Sequence, residues 1–353
     1  MNLCISHKED VDGIASAMLI KLLFNPKSTI LVDYGNMIET LEKVASQNAR
    51  NKFTNIFICD LALGKRNENE FAEIIERFIS MGIKVTYIDH HDLDKPIEDK
   101  LQAMGVELLH NIEECTSVQI YQHYKNQLSG SSNTTAATSQ SSTGNANINN
   151  NNNNSHAAFY AAAAALTDYM DKKPVASSLV SRFDRHFLML ESTALSYIIS
   201  ANQHDDPYLV SIVDTLSQGK YTHDIKDGFA TALKYATMVG EAAKEIETSM
   251  KKLKNLAYAS SSSSLSTSMV VNFVLGNAGK PVAVIYRSRE DLPGSVQISV
   301  RGTDRCKIHL GRAVNEIATE LGGNGGGHEK ACGAIIPEDR VKKFLGMLNK
   351  VIA

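Results

Sequence analysis

The N-terminal third of the chain repeats one pattern: a short apolar run that ends at a polar or acidic residue, followed by a segment with helical spacing. The runs are Leu3-Cys4-Ile5, Ile30-Leu31-Val32, Ile56-Phe57-Ile58-Cys59 and Val85-Thr86-Tyr87-Ile88. Near-continuous apolar runs of this length belong to parallel strands covered on both faces. Between them, Ile14, Ala17, Met18 and Leu22 share one helical face, and so do Phe71, Ile74, Ile75 and Phe78, with charges opposite. Strand and helix in alternation predict an α/β fold with a parallel sheet and right-handed crossovers.

Further along, the pattern changes twice. From His156 to about Asn255 it is helical: Ala157 to Leu166 has high helix propensity, and Phe229, Leu233, Tyr235, Ala236 and Val239 mark a long connecting helix within 227–256. A Ser/Thr-rich stretch follows, and then Met269–Leu275, Val282–Arg287 and Val296–Arg301 read as strands, with helices near 310–321 and 340–351. The expected division is a first domain over 1–255, a Ser-rich linker over 256–267 and a smaller mixed-sheet α/β domain over 268–353. Residues 129–155 contain no charged residue and are dominated by Asn and Ser, so they are expected to be a disordered insertion.

Composition narrows the function classes. With 353 residues and 43% hydrophobic content, the chain can bury the cores of two domains. Its longest uninterrupted apolar stretch, 157–166, is half of the roughly 20 residues that a spanning helix needs, so no membrane segment is expected. The N-terminus lacks a secretory pattern and the five cysteines form no C-x-x-C pair, which predicts a cytoplasmic protein with buried thiols. The net charge of −3 is uneven: residues 268–353 hold 12 Lys/Arg against 8 Asp/Glu, so this part carries +4 and the remainder −7. Proteins that bind long nucleic acids have a broad basic footprint, so a small anionic substrate suits this chain better.

Acidic and histidine residues gather just after the predicted strands. The first strand leads into His7-x-x-Asp10-x-Asp12-Gly13, the third into Asp60 and the fourth into Asp89-His90-His91-Asp92. In an open parallel sheet those ends share one edge, where ligands bind. Clustered carboxylates would repel one another unless cations lie between them. Several carboxylates with one or two imidazoles suit Mn²⁺ or Mg²⁺ better than structural zinc, and the imidazoles favour Mn²⁺. A bridged pair of such ions about 3.5–4 Å apart leads to hydrolysis at phosphorus.

Ser6-His7-Lys8-Glu9-Asp10-Val11-Asp12-Gly13, Asp60, Asp89-His90-His91 and Asp168 after an Ala-rich helix resemble, in order and spacing, the successive motifs of the DHH phosphoesterase superfamily. Ser299-Val300-Arg301 followed by Gly325-Gly326-Gly327-His328 is similar to the signature of the DHH-associated C-terminal domain in RecJ-like exonucleases, oligoribonucleases and cyclic-dinucleotide phosphodiesterases. The resemblance implies two Mn²⁺ ions, with Mg²⁺ or Co²⁺ as substitutes. It implies that His7 and Asp10 hold one ion, that Asp12, His90 and Asp168 hold the other, and that Asp60 bridges them. It further implies that His91 faces the scissile phosphate, that Asp89 orients the neighbouring imidazoles, and that the active site lies in an interdomain cleft. Arg301, Gly325, Gly326, Gly327 and His328 would bind the nucleotide end of the substrate. Asp33 ends a predicted strand without matching a ligand position, and Asp171 is an alternative to Asp168.

The glycine-rich tail has a physical reading of its own, because glycines let the backbone approach an anion while Arg301 and His328 add charged donors. Taken together, the expectation is a phosphoesterase that cleaves phosphodiester or terminal phosphate bonds in short nucleotides: nano-RNA, linear or cyclic dinucleotides, or phosphoadenosine phosphate. A RecJ-like exonuclease on longer single strands and a non-catalytic nucleotide-binding protein are the competing readings. The resemblance also implies a homodimer, for which the sequence shows no heptad or apolar patch.

Overall fold

The computed structural model describes the chain except for residues 65–66, 129–144, 328 and 353, and it describes only the backbone for 49–51 and 145–152. Two compact units divide at Leu233 and Lys234, inside helix α10 (Gly228–Ser249). No described helix is long and apolar enough to cross a membrane.

The first unit opens with five βα repeats cut short after the last strand. They are β1 (Asn2–His7), α1 (Val11–Phe24), β2 (Ser28–Val32), α2 (Met37–Asn51), β3 (Asn55–Cys59), α3 (Glu68–Ser80), β4 (Lys84–Asp89), α4 (Lys95–Ala103) and β5 (Glu107–His110). The strands form one sheet in the order β2-β1-β3-β4-β5, and every pairing is parallel. After it come α5 (Thr116–Leu128), α6 (Asn145–Thr167), α7 (Pro174–Val180), α8 (Arg185–Ala201) and α9 (Asp206–Ser217).

Alternating side chains of the strands feed two cores. Leu3, Ile5, Ile56 and Ile58 pack with α2, α3 and α4 on one face. Cys4, Phe57, Cys59 and Ile88 meet α1 and the α5–α9 helices on the other. Helix α1 is buried all round from Val11 to Ile20, because it lies between the sheet and that second helical layer. Each fully buried Leu or Ile there contributes about 1.5–3 kcal/mol of transfer free energy. Ala157 to Ala165 are likewise buried, with the alanines allowing close helix packing and Phe159 and Tyr160 filling the core.

The second unit holds a mixed six-stranded sheet in the order β10-β11-β9-β8-β7-β6. Its elements after α10 are β6 (Lys251–Lys252), β7 (Leu256–Ser260), α11 (Thr267–Ala278), β8 (Val282–Ser288), β9 (Ser295–Gly302), α12 (Leu310–Glu320), β10 (Asn324–Gly327), β11 (Ala331–Pro337) and α13 (Val341–Val351). The α/β class and the split into a parallel N-terminal sheet and a mixed C-terminal sheet agree with the expectation from sequence.

Three local expectations differ. Residues 269–275, read as a strand, lie in α11: Val270, Val271, Val274 and Ala278 are buried along one helical face, and Gly279 ends the helix at φ 67°. The expected linker over 256–267 contains strand β7, whose Leu256, Ala257 and Ala259 are buried beside β8. Of the tract expected to be disordered, 129–144 lie outside the described residues, whereas 145–155 continue α6 as the N-terminal extension of its alanine-rich part.

Candidate metal centre

The site builds on the carboxyl ends of β1, β3 and β4. Where β1 ends, Asp10 caps α1, its carboxylate accepting the Gly13 N–H at 2.9 Å. Gly13 must be glycine for a packing reason: a Cβ there would stand 2.3 Å from the His7 carbonyl oxygen. That close approach draws His7 and Asp10 together, with His7 Nε2 3.6 Å from the Asp10 carboxylate.

Asp12 points into the protein and is buried, and both of its oxygens are used by the first turn of α5. Thr116 N–H donates to one at 2.8 Å and Ser117 N–H to the other at 2.9 Å. A buried carboxylate at a helix N-terminus satisfies donors that would otherwise be orphaned and meets the positive end of the dipole. The Thr116 hydroxyl donates in turn to Asp60 Oδ1 at 3.1 Å.

Asp60 follows β3 in a left-handed conformation, φ 58°, which is uncommon for a residue with a side chain. Its other oxygen, Oδ2, is buried and has no hydrogen-bond partner. Burial and then Asp12 push its carboxyl well above the usual range. His90 Nε2 lies 3.4 Å from Asp60 Oδ1 and 3.4 Å from Asp168 Oδ2, and the latter oxygen is also buried without a hydrogen bond. Burial, followed by Asp12, pushes Asp168 up to about 7.

His91 turns to Asp89, with Nδ1 3.0 Å from Oδ1 and the His91 N–H donating to Oδ2 at 3.2 Å. Burial opposes the charged ring, but the Asp89 carboxylate outweighs it and raises the His91 pKa. Neither Thr116 nor His110 is among the residues that sequence reasoning singled out. His110 Nε2 donates to the His91 carbonyl at 2.6 Å and fixes the turn after β4. Tyr34, also missed, stacks on His7 with ring centroids 4.6 Å apart.

Two ligand sets emerge from these positions. One ligand atom from each of Asp12, His90 and Asp168 lies within 4.8 Å of the others, and the same holds for Asp60, His90 and His91. His7 Nδ1 is a third buried atom without a partner. Unsatisfied oxygens and an imidazole nitrogen among carboxylates fit a divalent cation, because such atoms are costly to bury unpaired and are the donors that cations take. Asp12, His90 and Asp168, expected to hold one ion together, lie near one another. His91, expected to face the substrate, shares a ligand set with Asp60 and His90. His7 and Asp10 adjoin each other, but neither belongs to either set. Asp33 pairs with Lys8.

In the second unit, Arg301, Ser299, Gln297, Gly325, Cys332 and Gly333 line an open cavity of about 550 Å³. The glycine tract forms strand β10, antiparallel to β11. A Cβ at Gly325 would meet Ala334 Cβ at 2.9 Å and Ala318 Cβ at 3.2 Å, so this glycine is required by close packing of the strand against α12 and β11. Gly326 and Gly327 have φ of 151° and 133°. His328 lies outside the described residues.

These observations define a two-unit α/β protein with a carboxylate-histidine cluster at the edge of a parallel sheet. Residues 253–353 match the DHHA1 domain family. A 199-residue stretch is 25% identical to an uncharacterized protein of Methanocaldococcus jannaschii, covering 52% of this chain and 43% of that protein, so less than half of the relative's length is represented. Among solved structures, the DHH domain of a member of the s1p family of ribosomal proteins has a TM-score of 0.70 at 12% identity, over 99% of this chain and 86% of that one. RecJ of Thermus thermophilus in complex with Mn²⁺ has a TM-score of 0.59 at 13% identity, over 99% and 52%. The pGpG-specific phosphodiesterase PggH of Vibrio cholerae has 0.56 at 11%, over 100% and 99%. At these identities the likeness to solved structures is one of fold. The family match is to residues 253–353, which form a DHHA1 domain, and over the rest of the chain the fold is that of these DHH structures.

Proposed function

We propose that this protein is a divalent-metal-dependent phosphoesterase that hydrolyses phosphodiester or terminal phosphate bonds of short nucleotides. The observation that carries the reading is the convergence of Asp12, Asp60, His90 and Asp168, with one oxygen of Asp60 and one of Asp168 buried and without a hydrogen bond. The residues assigned to two cations, Mn²⁺ in the first instance, are His7, Asp10, Asp12, Asp60, His90 and Asp168, with His91 close enough to Asp60 and His90 to join them. When bound, such cations supply Lewis acidity, lowering the pKa of water and neutralising charge that develops at phosphorus.

The chain's own residues do the rest. Asp89 holds the His91 ring through Nδ1, which leaves Nε2 to donate to a phosphoryl oxygen or to move a proton to the leaving group. Thr116 orients Asp60 through its hydroxyl, and the α5 N–H groups fix Asp12. In the second unit, the Arg301 guanidinium and the β10 backbone at Gly325, Gly326 and Gly327, with His328, are assigned to a substrate phosphate.

The name of PggH specifies a dinucleotide, a RecJ-like exonuclease on longer single strands is the competing reading, and the acidic first unit favours the short end. The test is product analysis with Mn²⁺, Mg²⁺ or Co²⁺ on di- to pentanucleotides, cyclic dinucleotides, phosphoadenosine phosphate and a labelled single strand of about 30 nucleotides. Turnover confined to the short substrates is the expected result. Preference for the long strand would replace the proposal with a RecJ-like exonuclease, and tight nucleotide binding without turnover would make the protein a binder.

A further inference from the structure

The end of β1 and the end of β2 are tied together twice, by neighbouring residues. His7 and Val32 are register partners, and the Lys8 N–H donates to the Val32 carbonyl at 3.0 Å. Beyond that bond, Lys8 Nζ reaches Asp33 at 3.2 Å and Asp206 of α9 at 3.0 Å, although its side chain is only 7% exposed. The next residue, Tyr34, folds back so that its ring lies on the His7 imidazole at an interplanar angle of 27°. The turn between is fixed by Asp33 Oδ1, which accepts N–H groups from Gly35 at 2.9 Å and Asn36 at 3.0 Å, and by Asn36 Oδ1, which accepts the Asp33 N–H.

A buried ammonium is costly unless paired, and a stacked ring pair fixes the relative orientation of its two members. Tyr34 is 41% exposed, whereas His7 is 3% exposed with Nδ1 unpartnered. Tyr34 also presents an edge contact to His91, at 6.4 Å and 86°. None of Lys8, Asp33 and Tyr34 is in a ligand set; Tyr34 alone lies on the imidazole, and Lys8 and Asp33 are tied to it through the turn that carries Tyr34.

We propose that Lys8, Asp33 and Tyr34 form a two-point clamp that presets the His7 imidazole for a divalent cation. The inference rests on the reading of the site as a metal centre. The ion pair places the turn, the turn places Tyr34, and the stack removes the rotation about χ2 that would otherwise have to be lost on binding. These are positioning residues: their effect passes through His7. Partners that orient a ligating histidine typically change metal affinity roughly 10–100-fold when removed.

The experiment is calorimetric titration of the full chain with Mn²⁺, together with long-range ¹H–¹⁵N spectra of the metal-free histidine side chains. Tyr34→Ala should weaken Mn²⁺ binding roughly 10–100-fold, Tyr34→Phe should bind close to wild type, and Asp33→Asn should weaken binding less than Tyr34→Ala. The double variant should lose less than the sum of the two, since both act on one ring. The His7 signals should move in Tyr34→Ala and Asp33→Asn while those of the remote His223 stay fixed. If the wild type binds no Mn²⁺, the reading of the site fails and the clamp with it. If the wild type binds and both single variants bind equally well with His7 unmoved, the clamp alone is overturned. A raised KM in Tyr34→Ala with unchanged Mn²⁺ affinity also overturns it, and makes Tyr34 a substrate platform instead.

Discussion

His90 Nε2 stands 3.4 Å from an oxygen of Asp168 that is buried and accepts no hydrogen bond. Burial, and then Asp12 within reach of the same point, disfavour the charged form of Asp168 in the metal-free protein. Asp168→Asn should therefore act in opposite directions on two measurements. It should raise the melting temperature of the protein in EDTA, by about 2–4 °C for each kcal/mol of repulsion relieved, and it should abolish the stabilisation that Mn²⁺ gives the wild type. Asp171→Asn should do neither. Differential scanning calorimetry with and without Mn²⁺ checks both, and a fall in the EDTA melting temperature of Asp168→Asn would contradict the assignment.

The same carboxylate sets a pH dependence. Burial, and then Asp12, raise Asp168 to about 7 and place Asp60 well above its ordinary value. A carboxyl whose folded pKa exceeds its unfolded value of about 4 keeps its proton in the folded state over the window where the unfolded chain has released it. The folded state thus binds more protons there, and metal-free stability should fall as pH climbs from about 4 to about 7. Cations must displace those protons, so Mn²⁺ affinity should rise through the same window. Urea midpoints in EDTA at pH 5 and pH 8, compared with Mn²⁺ titrations at the same values, test the sign of each trend.

What the sequence made legible divides along physical lines. Asp60, His90 and Asp168 could be found because each follows a strong local signal, an apolar strand or an alanine-rich helix, and a parallel sheet sends strand ends to one edge. Tyr34 and Thr116 could not, because a stack on His7 and a hydroxyl on Asp60 depend on which strands are neighbours, not on local pattern. Residues 269–275 misled for a different reason. Their β-branched run suits a strand by propensity, but burial of one face against the mixed sheet overrides that preference and makes a helix. Gly325 to Gly327 carry no strand signal because glycine weakens strands, yet they form β10, where contact with β11 and α12 leaves no room for a larger side chain at Gly325.

Asp12 should behave unlike Asp168 although both are assigned to the same cation. Its oxygens receive the N–H groups of Thr116 and Ser117, and all these residues are buried. Asp12→Ala orphans both donors, at about 1–3 kcal/mol each, so it should lower stability in EDTA as well as remove metal binding. Asp12→Asn keeps one acceptor and should recover part of the stability without recovering metal affinity. Urea unfolding of the three proteins in EDTA measures the difference, and an Asp12→Ala variant as stable as wild type would show that α5 does not depend on this carboxylate.

Gly13 offers the sharpest steric test of how the first motif is built. A methyl group at this position would lie 2.3 Å from the His7 carbonyl oxygen, 2.7 Å from its carbon and 2.8 Å from its Cβ. Backbone atoms on the end of a central strand cannot yield as a flexible side chain can, so relief must come from shifting His7 or the first turn of α1. Overpacking of this kind costs about 1–3 kcal/mol. The first turn also holds the Asp10 cap, the Gly13 carbonyl that accepts the Ser6 hydroxyl at 2.7 Å, and Asp12 itself. Gly13→Ala should therefore lower the urea midpoint and weaken Mn²⁺ binding together, whereas Gly64→Ala, with nothing within 4 Å of the added carbon, should change neither. Normal Mn²⁺ affinity in a destabilised Gly13→Ala protein would show that the turn relaxes without moving the ligands.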